Sequence, residues 1–142
     1  MEKPFKMGYT TGVYDMFHIG HLNILRRAKE LCETLVVGVT TDELCFQRKN
    51  KWPIINEKER MAIVEAIRYV DRVVTQEDMN KLRVVKELGA DVVFVGSDWK
   101  GTDAWNHYEQ EFAEAGCSVV YLDHTPGICS DTLRKRLTKQ DG

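Results

Sequence analysis

Two histidines, His18 and His21, stand three positions apart with Gly20 between them. Residues 7–11 before them read as the end of a strand, and residues 22–33 after them as a helix. The pair therefore falls where a strand turns into a helix. The first turn of a helix offers unpaired backbone N–H groups at the positive end of its dipole, and these attract phosphate. Glycine removes a side chain at the point of closest approach, and the two imidazoles add donors on the same side. Such a site can hold and polarise phosphate oxygens. A bare histidine pair at this spacing is more often structural; its place at a strand–helix junction favours the phosphate reading. Other chemistries lack their signatures. No third ligand stands at a metal-binding spacing from the histidines. No GxSxG elbow supports a Ser-His-Asp hydrolase, and neither GxGxxG nor GxxxxGK[ST] occurs.

The elements that must position these residues alternate along the whole chain. Short apolar runs at 35–39, 72–74, 92–95 and 119–122 read as further strands buried on both faces. Between them lie helical patterns at 44–47, 57–69, 80–88 and 104–115, with a final one at 131–137 beyond the turn at Pro126-Gly127. Leu22, Leu25, Ala28 and Leu31 or Cys32 mark the inner face of the first helix, and Met61, Ile63 or Val64, Ile67 and Val70 that of the third. Gly89 and Gly116 suit left-handed helix ends. This alternation predicts a single Rossmann-like, doubly wound α/β domain over residues 1–142, with a five-stranded parallel sheet flanked by helices. Ligands of such sheets bind at the carboxyl ends of the strands, near the switch in strand order. The polar segments after Thr11, Val95 and Leu122 all follow strands and would converge there.

Composition removes several function classes. The 142 residues suffice for one ordinary domain. A charge of −2 supplies no basic field for nucleic acid. The N-terminus lacks the apolar core of a signal peptide, and no apolar run approaches the roughly 20 residues of a membrane helix. Cys32, Cys45, Cys117 and Cys129 show no CxxC or metal spacing and read as free thiols of a cytoplasmic protein.

Several separated segments carry a resemblance. GVYDMFHIGH at 12–21, TTDE at 40–43, Glu59-Arg60, IRYVD at 67–71, GSDWKG at 96–101 and HTPGICSDT at 124–132 occur in that order. They resemble the motifs of the HxGH nucleotidyltransferases, in particular the cytidylyltransferase family and its small bacterial glycerol-3-phosphate cytidylyltransferases, over about residues 8–137. The resemblance implies transfer of CMP from CTP to a small alcohol phosphate, glycerol 3-phosphate first, with Mg²⁺ accompanying CTP. The product would be a CDP-activated building block for a wall or capsule polymer. It implies a homodimer joined near the first helix and the IRYVD segment.

By the same resemblance, His18 and His21 contact the CTP phosphates and share catalysis with Lys49 and Arg68. Gly12, Val13, Tyr14, Asp15, Gly20, Asp98, Gly127, Ile128, Ser130 and Thr132 line the nucleotide site. Lys49, Lys51, Arg60 and Arg68 serve the acceptor phosphate, and Asp15 orients its loop or contributes to a Mg²⁺ site. The residues themselves leave alternatives open. The segment 48–56 is basic and irregular, so its lysines fit a ligand-side loop or solvated surface, and Arg48 competes with Lys49. Arg60 and Arg68, eight apart, would project from one side of a helix or form ordinary surface ion pairs. Trp99 fits the pocket, the core or an interface, Trp52 and Trp105 packing or the acceptor side, and His107 solvent.

The chain departs from the family pattern in three places. His124 stands where the family has an arginine, Cys129 replaces the first hydroxyl, and Val13 replaces the threonine common in the glycerol-phosphate enzymes. The last change is nearer to choline- and ethanolamine-phosphate cytidylyltransferases. Phosphocholine, phosphoethanolamine or another polyol phosphate is therefore an alternative acceptor, ATP an alternative nucleotide, and a non-catalytic nucleotide-binding module a lesser reading.

Overall fold

The structure is a computed structural model and describes residues 3–123. Its elements run β1 (Phe5–Gly12), α1 (Ile19–Leu31), β2 (Cys32–Thr40), α2 (Asp42–Lys49), α3 (Glu57–Glu65), β3 (Arg72–Gln76), α4 (Lys81–Leu88), β4 (Val92–Gly96), α5 (Asp103–Glu114) and β5 (Ser118–Leu122), with a 3₁₀ turn at Ser97–Trp99. All strand pairs are parallel, in the order β3-β2-β1-β4-β5. The chain leaves β1 toward β2 and β3, then returns to β1's other edge with β4. The order thus switches between β1 and β4, and the segments after both strands meet at that crevice.

Strand alternation divides the core between the two faces. Leu35, Val37, Val39, Val92 and Phe94 pack with Leu25 and Ala28 of α1 and Val64 of α3. Tyr9, Val36 and Val93 pack on the opposite face with Val85 of α4 and Trp105 and Phe112 of α5. Helix starts are capped by side chains the sequence provides at the right offsets: Thr41, Asn56, Asn80 and Thr102 each accept a backbone N–H from the first turn.

The boundaries of three helices, α1, α2 and α3, differ from the sequence expectation. Helix α1 stops at Leu31 because Cys32 already pairs with Phe5 in the sheet. No Gly or Pro marks that change, and strand pairing overrides helical periodicity. Helix α3 stops at Glu65 instead of continuing to residue 69. Asp71 pulls the chain away: its N–H donates to Leu35 O and its carboxylate accepts from Leu35 N. Arg68 consequently lies beyond the helix, so Arg60 and Arg68 do not share a helix face. Helix α2 is longer than expected and takes in Arg48 and Lys49 as its last turn. The turn at Pro126-Gly127 and the helix at 131–137 lie outside the described residues.

Candidate active site

His18 is the N-cap of α1, and its own geometry states which ring nitrogen carries the proton. Its Nδ1 accepts from Gly20 N at 3.1 Å, while its backbone N–H donates to His21 Nδ1 at 3.2 Å. The two rings stack at 3.9 Å between centroids. With each Nδ1 acting as an acceptor, the proton of each neutral imidazole sits on Nε2. Burial holds the His18 pKa below 6.5, so that ring stays neutral near pH 7. Its Nε2 is buried and has no hydrogen-bond partner among the described residues. A buried donor without an acceptor is costly, and an incoming phosphate oxygen would relieve it. The first turn of α1 carries no acidic residue that would oppose such a ligand.

The loop that leads to His18 is strained and tied down. Tyr14 and Met16 both adopt positive φ, 55° and 50°, at a cost of about 1–3 kcal/mol each. Gly12 is required beneath this bend, because a Cβ there would meet the Tyr14 ring at 2.9 Å. Tyr14 in turn meets the His21 ring edge-on at 5.4 Å. Asp15 is buried, with its two carboxylate oxygens accepting from Ile54 N at 2.8 Å and Ile55 N at 2.9 Å. The carboxylate thus ties the loop to the turn at Ile54-Ile55.

Arg60 completes the brace and corrects an expectation. It is fully buried. Its guanidinium donates to Val13 O at 2.7 Å, Thr40 O at 2.8 Å, Ile55 O at 2.8 Å and the Asp42 carboxylate at 2.6 Å. This charge is satisfied internally and joins the end of β2, the His18 loop and the start of α2. It is a strut, not an acceptor-phosphate contact. Arg68 is exposed, rests on the Tyr69 ring at 5.7 Å and does not line the cleft at the carboxyl ends of the strands.

At the carboxyl ends of the strands lies a cleft of about 440 Å³. Gly12, Val13, Lys49 and Trp99 line it, as does Arg48, so the α2 cations do face the ligand side. Lys51 is exposed and outside this lining, and Asp98 is an exposed residue of the 3₁₀ turn. Gly127, Ile128, Ser130 and Thr132, with His124 and Cys129, lie outside the described residues. Of the remaining tryptophans, Trp105 is buried and lines the cleft, whereas Trp52 is exposed and stacks on Phe46 at 4.6 Å. His107 is exposed and pairs with Glu111.

One cleft residue escaped the sequence reading. Lys81 is 6% exposed, donates to Thr11 Oγ1 at 3.0 Å and lies 5.8 Å from the Trp105 ring centroid. Burial, with nearby Arg48 adding like charge, pushes its pKa down to about 8. A lysine at a helix start carries no signal of this in sequence. Only the adjacency of β1 to β4 and the packing of α4 against α5 enclose it.

Comparison with known proteins agrees with this architecture. The family described as Cytidylyltransferase-like matches residues 9–136. The chain is 35% identical over 133 residues to the glycerol-3-phosphate cytidylyltransferase of Staphylococcus aureus, covering 93% of this chain and 95% of that protein. It is 34% identical over 135 residues to the FAD synthase of Archaeoglobus fulgidus, covering 93% and 97%. Among solved structures, the lipopolysaccharide core biosynthesis protein of Thermoplasma volcanium superposes with a TM-score of 0.70 at 27% identity, over 85% of this chain and 97% of that one. A parallel sheet with a histidine-capped helix at its switch point, and a family match over most of the chain, place this protein in the cytidylyltransferase-like family of nucleotidyltransferases.

Proposed function

We propose that the protein transfers CMP from CTP to a small alcohol phosphate, glycerol 3-phosphate first, giving a CDP-alcohol and pyrophosphate. The histidine pair at the start of α1 carries the reading: each Nδ1 is taken by a backbone amide, which directs a ring N–H at Nε2 without adding charge. Similarity to glycerol-3-phosphate cytidylyltransferases supports the choice of nucleotide and acceptor. An acceptor phosphate oxygen attacks the α-phosphorus of CTP, and the bond to the bridging oxygen of the β-phosphate breaks. Pyrophosphate leaves with the electron pair. The nucleophile is already an anion, so no general base is needed. The protein's part is alignment and charge stabilisation on the reacting phosphates. His18, His21 and the α1 N-terminus serve the CTP phosphates, and Lys49 with Arg48 reaches over them from α2.

Mg²⁺ enters this proposal as a companion of the CTP triphosphate. Asp15 fits poorly as its ligand, since both carboxylate oxygens hold backbone amides. Among the described residues no group of three or more His, Cys, Asp or Glu is placed to hold a metal. A homodimer also belongs to the proposal. Ile19 and Ile63, 53% and 39% exposed, lie in α1 and near the IRYVD segment; a monomer in sedimentation velocity at micromolar concentration would remove it.

Pyrophosphate release in a matrix of CTP and ATP against glycerol 3-phosphate, phosphocholine and phosphoethanolamine tests the reaction. Turnover with CTP and glycerol 3-phosphate is expected. Turnover with ATP alone would replace cytidylyl by adenylyl transfer, the second reading, which similarity to FAD synthase favours. CTP binding without pyrophosphate release from any acceptor would indicate a non-catalytic module.

A further inference from the structure

Six large apolar side chains stand exposed among the described residues, and three of them, Phe46, Trp52 and Ile54, fall within nine positions. They are 37%, 55% and 64% exposed. Trp52 stacks on Phe46 with the ring planes 17° apart, and Ile54 follows two residues later, within about 7 Å along the chain. The three form one apolar tip beyond the end of α2. Exposed apolar residues scattered singly need no explanation, whereas a cluster does. The same stretch is basic. From Leu44 to Asn56 it carries Arg48, Lys49 and Lys51 and no acidic residue, in a chain whose net charge is −2. All three cations are exposed. The tip is also firmly held: Ile54 N and Ile55 N donate to the buried Asp15 carboxylate, and the Cys45 thiol donates to Lys51 O at 3.8 Å. A turn fixed in this way presents its aromatic pair with little further ordering to pay on binding.

We propose that this tip docks the protein on an anionic lipid surface, with Trp52 and Ile54 entering the headgroup region and the neighbouring cations meeting lipid phosphates. Tryptophan settles at the boundary of hydrocarbon and water because its ring is apolar while its N–H still finds a hydrogen-bond acceptor. Cations beside such an anchor gain from the negative potential of an anionic bilayer. One signal alone gives marginal, reversible binding, and an apolar anchor joined to a basic patch supplies two. Residues 46–54 carry both. A second protein, or a second copy of this chain, is the poorer occupant. Three side chains fall short of the roughly 800 Å² that each partner buries in a stable protein interface. Arg48 and Lys49 also line the cleft, so docking would bring the cleft close to the surface, and the Asp15 clamp makes the tip and the histidine loop one piece. The proposal does not rest on the transfer reading above.

The test sediments the full-length protein with vesicles of phosphatidylcholine alone, or of phosphatidylcholine with an equal share of phosphatidylglycerol, at about 0.1 M salt. Binding to the anionic vesicles should be at least about tenfold tighter than to the neutral ones, and should weaken as salt rises. Trp52→Ala and Ile54→Ala should each weaken it by about fivefold or more, and Trp52→Phe by less, since an aromatic ring remains. Both positions are exposed, so urea midpoints should match wild type and separate a loss of binding from a loss of fold. Acyl chains brominated near the headgroup should quench tryptophan fluorescence in wild type but not in Trp52→Ala, which keeps Trp99 and Trp105. No binding of wild type to anionic vesicles, equal binding by Trp52→Ala, or binding without quenching would each overturn the proposal. Self-association that Trp52→Ala abolishes, with no vesicle binding, would overturn it too and make the tip a contact between copies.

Discussion

His18 closes the first turn of α1 with one ring nitrogen and keeps the other, protonated and unpartnered among the described residues, for a ligand. His18→Ala and His21→Ala should therefore lower kcat by about 10²–10³, the range for deleting a transition-state donor. The loss of the cap costs only about 1 kcal/mol in urea unfolding for His18→Ala. Near-wild-type kcat in either variant would remove that histidine from catalysis. Protonating His18 would take away the Nδ1 acceptor that Gly20 needs. Its native pKa lies below the ordinary 6.5, so its contribution to stability is complete above pH 6.5 and is lost as pH falls through the lower native value. Lys81 behaves in the opposite region. Between about pH 8 and 10.5 the unfolded chain holds a proton that native Lys81 has released, so stability rises with pH across that window. Below pH 8 both states carry the proton and the burial penalty is constant. Lys81→Met should accordingly be more stable than wild type at pH 7, by on the order of 2–3 kcal/mol, and lose that advantage by pH 10.5. A variant no more stable at pH 7 would show that the buried charge is offset within the protein.

Between residue and fold, the unit that matters is the bend over residues 12–18, held in a strained path by partners far along the chain. Arg60 reaches it from α3, and Asp15 ties it to the turn at Ile54-Ile55. Arg60→Met leaves the Asp42 carboxylate with only the Glu57 amide and three carbonyls without their donor, so a loss of about 3 kcal/mol or more is expected in urea unfolding. A loss under about 1 kcal/mol would mean water replaces the guanidinium without penalty. Asp15→Ala frees both turn amides; limited proteolysis should then cut faster between residues 50 and 56, with kcat reduced through misplacement of the histidines. Unchanged cleavage would show that Arg60 alone holds the turn. The strand–helix junction and the histidine spacing were legible in sequence. The brace was not, because each of its hydrogen bonds joins residues five to 47 positions apart and leaves no local pattern. Arg68 was misplaced for a related reason: an apolar period that continues past Glu65 is met by a turn packed on the same core, and periodicity does not distinguish the two.

At the scale of the molecule, a parallel sheet covered on both faces explains why Cys32 and Cys117 are quiet. Cys32 and Cys117 are buried, and burial raises each thiol pKa to about 11. Iodoacetamide at pH 8 should leave both unmodified in the native protein and label them only as it unfolds, with a rate that tracks urea concentration; fast labelling of Cys32 in native buffer would mean that β1 and β2 open locally. No helix of the described residues is long and apolar enough to cross a membrane. The sequence by itself determined the fold class, the order of the elements and the histidine pair. Each is encoded locally, in alternation, capping residues and motif spacing, and strand alternation with short crossovers admits few topologies. The tertiary structure alone decided which cations face the cleft. Arg48, Lys49, Arg60, Arg68 and Lys81 are alike as sequence, yet α2's last turn exposes the first two on the ligand side, the core consumes the third, a turn turns away the fourth, and the β1–β4 switch encloses the fifth. Charge is a property of the residue, whereas its exposure and its partner are properties of the packed chain.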